Sequence, residues 1–385
     1  MIAVIADDLT GAAELAGIGL QYQLKTEIEM LVDAETDADL LIIATDTRAM
    51  TAEEAKATVS QITRQLMALK PRSIFKKIDS VLRGHVVDEV MSQMEASGLQ
   101  SALIVAGNPS HNKTIVDGVY YYEDQPVHLS NFANDPCFPA ISSDVKTILR
   151  TDDEIHVLKQ DEPIPVQGIS IGEIAVDTDF DQWVAKAGAD TLLAGSAGLF
   201  ESLLKHLQST PIVSPVVNCS LKSARLFVLG STFNKDNYQV IDGLLNNTPV
   251  VYLPDEIIFG DEIPETTAKN YVEQVVSALS HAGSCVMAIH PEATTNKTVD
   301  PVALTHKMGL MVKRIGQNIN LHQILIEGGA TATAVLQHLG ITKLVPLQQL
   351  SPGVICTSIP GNNQLNVTLK PGSYPWPPGI WQPTN

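Results

Sequence analysis

Two carboxylates stand side by side where the first apolar run of this chain gives out. Met1-Ile-Ala-Val-Ile-Ala has the length of a strand, and Asp7-Asp8-Leu9-Thr10-Gly11 leads from it into an apolar segment of helical length. In an open α/β sheet, ligands gather outside the carboxyl ends of the strands. Asp7 and Asp8 therefore stand where a metal ion or a substrate hydroxyl could be held. Gly11 would let the backbone pass close to such a ligand as the helix begins. The plainer alternative is that Asp8 or Thr10 caps the helix, which both residue types do well. Capping accounts for one of them, but not for two adjacent acids.

A second group carries the opposite charge. In Ser73-Ile-Phe-Lys76-Lys77-Ile-Asp79-Ser80-Val-Leu-Arg83-Gly84-His85, a strand over 73–78 puts Lys77 and Asp79 on one face and Lys76 on the other. Two lysines inside an apolar strand are costly unless at least one faces a polar site. Ser80, Arg83 and Gly84 then fall in the turn before a helix over 86–97. The result is a local positive cluster suited to a carboxylate or a phosphate; the alternative is a solvated edge strand with an ordinary Lys/Asp pair. Another expected strand, 40–44, ends in Thr45-Asp46-Thr47-Arg48, again polar residues at a carboxyl end. His111, in the polar loop 107–114, either touches substrate or braces the loop.

Glycine turns form the third group. Gly195-Ser196-Ala197-Gly198 is a tight strand-to-helix turn, or simply a packing turn. In the second half come Gly230-Ser231-Thr232, Glu327-Gly328-Gly329-Ala330-Thr331, Ser351-Pro352-Gly353-Val354 and Lys370-Pro371-Gly372-Ser373-Tyr374. A Gly pair at a helix N-terminus offers free N–H groups and the positive end of the dipole, which suits phosphate. None of these is GxGxxG or GxxxxGK[ST]. Together they could line a nucleotide pocket; separately, each could be an ordinary turn.

These residues need a scaffold that presents strand ends along one edge. Apolar runs alternate with amphipathic segments throughout, the pattern of βα units. Strands are expected at 28–32, 40–44, 73–78, 101–106, 155–158, 173–176 and 191–194, with a hairpin strand at 117–122. Thr51 with Glu53 and Glu54 starts a helix over 51–69. The rhythm restarts with strands at 225–229, 250–253, 284–289 and 323–326, and with helices at 235–245, 266–282, 302–319 and up to Leu339. The segment 209–218, with Pro211 and Pro215, reads as a linker. The expectation is an α/β protein of two domains, 1–208 and 223–385, joined by 209–222. Each is a largely parallel sheet flanked by helices, with the active site in the cleft between them. The tail from Pro375 is expected to pack against the surface.

Composition narrows the partners. The 385 residues are 44% apolar and 18% charged, which suits a globular protein with a sizeable core. A formal net charge of −18 argues against nucleic acid or an anionic membrane surface as main partner. Cys137, Cys219, Cys285 and Cys356 form no CxxC pair and read as reduced thiols. With no signal peptide and no membrane-length apolar stretch evident, the expected location is the cytoplasm. Oligomeric state is left open, a homo-oligomer included.

The groups also add up to a resemblance. Ala6-Asp7-Asp8-Leu9-Thr10-Gly11-Ala12, Lys76-Lys77-Ile78-Asp79-Ser80-Val81-Leu82-Arg83-Gly84 and Gly195-Ser196-Ala197-Gly198-Leu199 resemble the four-carbon acid sugar kinases of the DUF1537 type. Gly230-Ser231, Gly328-Gly329-x-Thr331, Pro352-Gly353-Val354 and Lys370-Pro371-Gly372-Ser373 are similar to the same family in the same order. The chain departs from that pattern at Val81, His85, Thr232-Phe233-Asn234 and Ala330, and matches it loosely over 108–114. The resemblance implies an ATP-dependent kinase of threonate, erythronate or a 3-oxo-tetronate, acting on the terminal 4-hydroxyl. It implies a sugar-acid side with Asp7, Asp8, Arg48, Lys77, Asp79 and Arg83. It also implies a nucleotide side with Ser231, Gly329, Thr331, Gly353 and Gly372.

The residue chemistry suits such a transfer, which needs positioning and charge neutralisation. Arg83 and Lys77 would clamp the substrate carboxylate or the migrating phosphoryl group. Asp8 or Asp79 would take the hydroxyl proton, and Mg²⁺ would bridge the phosphates. Thr10, Gly11, Ser80 and Gly84 complete the expected acid side, and Gly230, Gly328, Pro352 and Ser373 the nucleotide side. Two rivals are a non-catalytic sugar-acid sensor of the same fold and a nicotinamide-dependent oxidoreductase. The latter lacks its glycine fingerprint.

Overall fold

A computed structural model describes residues 1–135, 138–151, 153–207, 224–230, 247–293, 299–372 and 374–381. The chain divides into two compact units, Met1–Ser214 and Pro215–Asn385. The expected linker 209–222 and helix 235–245 lie outside the described residues, as do Ser231 and Ser373.

The first unit begins with strands β1 (Ile2–Ala6), β2 (Thr26–Glu29), β3 (Leu40–Ala44), β4 (Ser73–Lys77) and β5 (Ser101–Val105). A small antiparallel sheet follows: β6 (Lys113–Val116), β7 (Val119–Tyr122) and β8 (Gln125–Pro126). Strands β9 (Ile155–Leu158), β10 (Gly168–Gly172) and β11 (Thr191–Gly195) complete the main sheet. Its order is β2-β3-β1-β4-β11-β5-β10-β9, and every pairing is parallel. The central strands are apolar without alternation because helices cover both faces. β1 is buried at all five positions.

Helices α1 (Leu9–Gln21), α2 (Ala52–Ala68), α3 (Val86–Ser97), α4 (Val145–Ile148), α5 (Thr178–Lys186) and α6 (Ala197–Leu207) flank this sheet. Helix α2 starts at a complete capping box, Thr51 with Glu54. One core cluster packs Ala3, Ile5, Leu41 and Ile43 against Val59, Ile62 and Leu66 of α2.

Two strand positions differ from the expected ones. The second strand is Thr26–Glu29 rather than 28–32. The strand placed at 173–176 is instead Gly168–Gly172. After Gly172 the chain turns away, leaving only an isolated bridge between Ile174 and Ile115. There the Glu173 carbonyl accepts from the Trp183 indole at 2.7 Å.

The second unit holds β12 (Arg225–Leu229), β13 (Val250–Tyr252), β14 (Ser284–Ala288) and β15 (Gln323–Glu327), then a meander of β16 (Lys343–Ser351), β17 (Val354–Ile359) and β18 (Asn362–Lys370). From β13 through β14, β12 and β15 to β18 the pairing is parallel. β17 then runs antiparallel between β18 and β16. The sequence marks only the glycine turns in this stretch, because strands of mixed burial lack a clean period of two. Its helices include Glu265–Ala282, Pro301–Asn318 and Gly329–Leu339.

The large side chains of the described tail are built into the core instead of lying on a surface. Trp376, Ile380 and Trp381 are buried in a core cluster with Phe227, Leu229, Val286 and Val354. Trp381 stacks on Phe227 at 4.2 Å between centroids. Cys285 is free and buried, as expected, whereas Cys356 is disulfide-bonded, against the expectation of reduced thiols.

Candidate active site

Strand β1 delivers its two acids to different tasks. Asp8 is the N-cap of α1: its Oδ1 accepts from the Gly11 N–H at 2.7 Å, and its Oδ2 accepts from the Thr10 hydroxyl at 2.8 Å. Asp7 is only 2% exposed, and both of its hydrogen bonds from Arg48, Nε at 3.0 Å and Nη2 at 2.7 Å, go to Oδ2. Among the described residues its Oδ1 has no hydrogen-bond partner. The capping alternative thus holds for Asp8, and the second acid is an anchor for an arginine.

Arg48 follows β3 on the short 3₁₀ turn Thr47–Ala49, entered through Asp46 at φ +54°. Its Nη1 lies 3.2 Å from Asp8 Oδ2 and 3.7 Å from Asp79 Oδ1. One guanidinium, carried just past β3, therefore ties three carboxylates that follow the ends of β1 and β4. Gly84 makes room for it: φ is +94°, and a Cβ there would sit 3.2 Å from Arg48 Cγ. A side chain at Gly84 would meet backbone strain and this arginine together.

Period two does send the paired lysines of β4 to opposite faces. Lys76 Nζ reaches Glu89 of α3 at 2.6 Å, in a pair almost fully withdrawn from water. Lys77 Nζ lies 3.6 Å from Glu14 of α1 and donates to the Ile78 carbonyl at 2.9 Å. Such buried pairs gain stability only when further hydrogen bonds satisfy them. The Thr47 hydroxyl supplies one, donating to Glu89 at 3.0 Å.

After β4 the chain curls around Asp79. Its Oδ2 accepts from the Val81 N–H at 3.1 Å, the Arg83 N–H at 3.2 Å and Arg83 Nε at 2.9 Å, while Oδ1 accepts from Arg83 Nη2 at 2.8 Å. The remaining Arg83 nitrogen, Nη1, donates to Asp135 Oδ2 at 2.8 Å. This is a bidentate fork, the strongest geometry for this pair.

Electrostatics separates the three acids. Burial pushes the Asp79 carboxyl up, but Arg83 and Arg48 outweigh it and hold it well below the usual carboxylate range. Burial likewise opposes ionisation of Asp8, and Arg48, Lys77 and the Gly11 and Thr10 hydrogen bonds leave it lowered. Asp7 goes the other way, raised by burial with Asp8 and Glu89 adding to it.

Four participants carried no sequence signal. Lys113 opens β6 and donates to Ser80 Oγ at 2.9 Å. Tyr120 of β7 donates its hydroxyl to the Ser80 carbonyl. Phe132 lies under both Arg83 and Lys113, each 5.7 Å from its ring centroid. Asp135 completes the shell of Arg83. All four belong to the small sheet and the loop after it, so only tertiary folding brings them to β4. His111 lies in the Pro109–His111 turn, two residues from Lys113.

In the second unit the expected turns meet at one edge. Strand β15 ends at Glu327 and β18 at Lys370, paired in register. Gly328, at φ +94°, is the N-cap of the helix Gly329–Leu339 and makes no side-chain cap. The first N–H groups of that helix are thus left for an anion. Gly230, after β12, lies against Thr331: a Cβ there would sit 2.0 Å from Thr331 Oγ1.

Pro352 and Gly353 form the turn between β16 and β17, with Gly353 packed against the Tyr374 ring. Gly372 lies in the turn after β18. Lys370 Nζ holds Glu327 Oε2 at 3.2 Å and the carbonyls of Pro371 and Tyr374, while the Trp376 indole donates to Glu327 at 3.1 Å. Burial raises the Glu327 carboxyl and lowers the Lys370 ammonium.

The fold and these two edges define a two-unit α/β protein with a charged site in one unit and a glycine-lined edge in the other. Residues 2–203 match the family model of a sugar-binding N-terminal domain, and residues 226–374 that of a nucleotide-binding C-terminal domain. The chain belongs to the four-carbon acid sugar kinase family. It is 26% identical over 415 residues to the D-threonate kinase of Salmonella typhimurium, covering 96% of this chain and 94% of that protein. It is 24% identical over 412 residues to the 3-oxo-tetronate kinase of Pseudomonas savastanoi, covering 97% and 94%.

Among solved structures, a Haemophilus influenzae DUF1537 protein superposes with a TM-score of 0.73 at 16% identity, over 98% of both chains. At such identity the likeness shows the fold alone. No helix among the described residues is long and apolar enough to cross a membrane.

Proposed function

We propose that this protein is an ATP-dependent kinase that phosphorylates the terminal hydroxyl of a four-carbon acid sugar: threonate, erythronate or a 3-oxo-tetronate. The reaction class is phosphoryl transfer to a sugar-acid hydroxyl, as the names of its relatives state for them. The observation that carries the reading is one chain holding a cation-rich acid cluster at the carboxyl edge of one sheet and uncapped glycine turns at that of another. An anionic polyol suits the first, and a nucleotide's phosphates suit the second.

Phosphoryl transfer asks the protein for position and for charge, not for covalent chemistry. Asp8 orients the substrate hydroxyl and accepts its proton. Asp79 is the weaker candidate for that role, since four hydrogen bonds from Val81 and Arg83 already occupy its oxygens. It serves instead to aim Arg83. Arg48 keeps Asp8 ionised and spreads positive charge along the edge.

The residues of the second unit fit a nucleotide: Gly328, Gly329 and Thr331 present a helix N-terminus with no competing side-chain cap. The turns at Gly230, Gly353 and Gly372 flank it on this reading. Bound ATP would supply the phosphoryl group, and Mg²⁺ accompanying it would neutralise phosphate charge. Mg²⁺ usually takes only one or two protein carboxylates, the rest being phosphate oxygens and water. The described residues include no group of three or more candidate ligand side chains.

The direct test is ADP release with ATP, Mg²⁺ and a panel of four-carbon acids. Acid-dependent release is expected for at least one of them. ADP no faster than the acid-free control, across the whole panel, would overturn the proposal.

A further inference from the structure

The cations of the first unit differ in what already holds them. Arg48 is divided between Asp7 and Asp8. Arg83 spends all three side-chain nitrogens on Asp79 and Asp135. Lys76 is locked to Glu89, and Lys77 faces Glu14. Lys113 is different: among the described residues it has no carboxylate within ion-pair distance. Its Nζ donates to Ser80 Oγ at 2.9 Å and otherwise faces the Phe132 ring.

An ammonium carries three donors, and among the described residues only one of them meets an acceptor. The group is also partly buried. Burial lowers its pKa, and although Asp79 and Glu14 favour its charge, Arg83 and Lys77 oppose it. A partly buried cation with no carboxylate at ion-pair distance is costly, unless a ligand brings one.

The backbone holds this lysine firmly. Asn108 and Lys113 exchange N–H···O bonds of 2.7 and 3.1 Å, and Lys113 pairs with Tyr122 across the hairpin. The anchoring Ser80 is itself fixed by the Tyr120 hydroxyl. Position and charge are thus prepared before any ligand arrives.

On the kinase reading above, we infer that Lys113 receives the substrate's carboxylate and selects acid sugars over neutral ones. The proton-accepting end of the site lies at Asp8, among Arg48, Gly11 and Thr10. The acid end of a four-carbon chain needs a separate cation that no protein carboxylate has claimed, and Lys113 supplies it. The chemical class it recognises is a compact carboxylate. An ammonium on a fixed stem, next to a hydroxyl, offers that group two donors at once.

The test uses the full-length protein and whichever of D-threonate, D-erythronate and a 3-oxo-tetronate the unaltered enzyme turns over. Lys113→Met is expected to raise KM for the acid by about 10- to 150-fold, the worth of a hydrogen bond to a charged group. KM for ATP should stay within about threefold, and Lys113→Arg should recover most of the loss. A structural role would not discriminate between the two substrates in this way. If Lys113→Met fails to fold, Lys113→Gln removes the charge while keeping a polar, hydrogen-bonding end and carries the same expectation.

An unchanged acid KM would overturn the inference. So would a fall confined to kcat, which would place Lys113 at the migrating phosphoryl group, or equal damage in the Arg variant. If the unaltered enzyme turns over neither those two acids nor a 3-oxo-tetronate, the kinase reading itself falls, and that failure is visible before any variant is made.

Discussion

At the scale of single residues, three carboxylates within reach of one arginine have been given three characters. Asp8 keeps lone pairs to spare, and its pairing with Arg48 holds it ionised. Asp8→Asn should therefore lower kcat by about 10²–10⁴-fold with little change in KM for either substrate. Steady-state kinetics on a folded variant checks this; normal turnover would remove Asp8 from the chemistry.

Asp79 is structural in the first place. Its folded pKa lies below its unfolded value of about 3.9, so its pairing stabilises fully above that value and is lost as pH falls through the folded one. Asp79→Ala should cost about 3–5 kcal/mol at pH 7, because it strands Arg83. The penalty should shrink steadily below about pH 4, as urea unfolding across a pH series would report.

At the scale of elements, turns rather than strands carry the specificity of this fold. Gly328 sits at φ +94° at the head of the helix Gly329–Leu339. Gly328→Ala should strain the backbone by about 1–3 kcal/mol and pull the first N–H groups of the helix out of line. The expected outcome is a higher KM for ATP with the acid KM unchanged; equal losses on both substrates would mean general damage instead. The hairpin β6-β7 matters in a similar way for the first unit. It belongs to a small sheet of its own and brings Lys113 and Tyr120 onto the turn after β4, two residues that no local period connects.

At the scale of the molecule, two units with separate cores need not unfold as one. A non-hydrolysable ATP analogue at about 100 times its Kd should stabilise the second unit by about 2.7 kcal/mol. A sugar acid at the same excess should do so for the first. Calorimetry should show each ligand raising a different transition. If both ligands raised a single shared transition, the units would be thermodynamically one. The net charge of −18 belongs to this scale as well. It repels anions at long range, so binding rests on cations placed locally.

Sequence alone determined the βα rhythm, the boundaries of β3, β9 and β12, the capping box at Thr51 and the gathering of Asp7, Asp8, Lys77, Asp79 and Arg83 at strand ends. Those features are local: strand period, cap chemistry and the rule that parallel strands end at a common edge. The meander β16-β17-β18 was missed because half-buried antiparallel strands blur the alternation that would mark them. The tail was misread because burial of Trp376 and Trp381 depends on a partner, Phe227, about 150 residues away in the chain. That Arg48, Arg83, Lys76 and Lys77 each have a carboxylate partner while Lys113, among the described residues, has none at ion-pair distance, only the tertiary structure decided. Ion pairing is settled by distances of a few ångströms between residues that sequence keeps far apart.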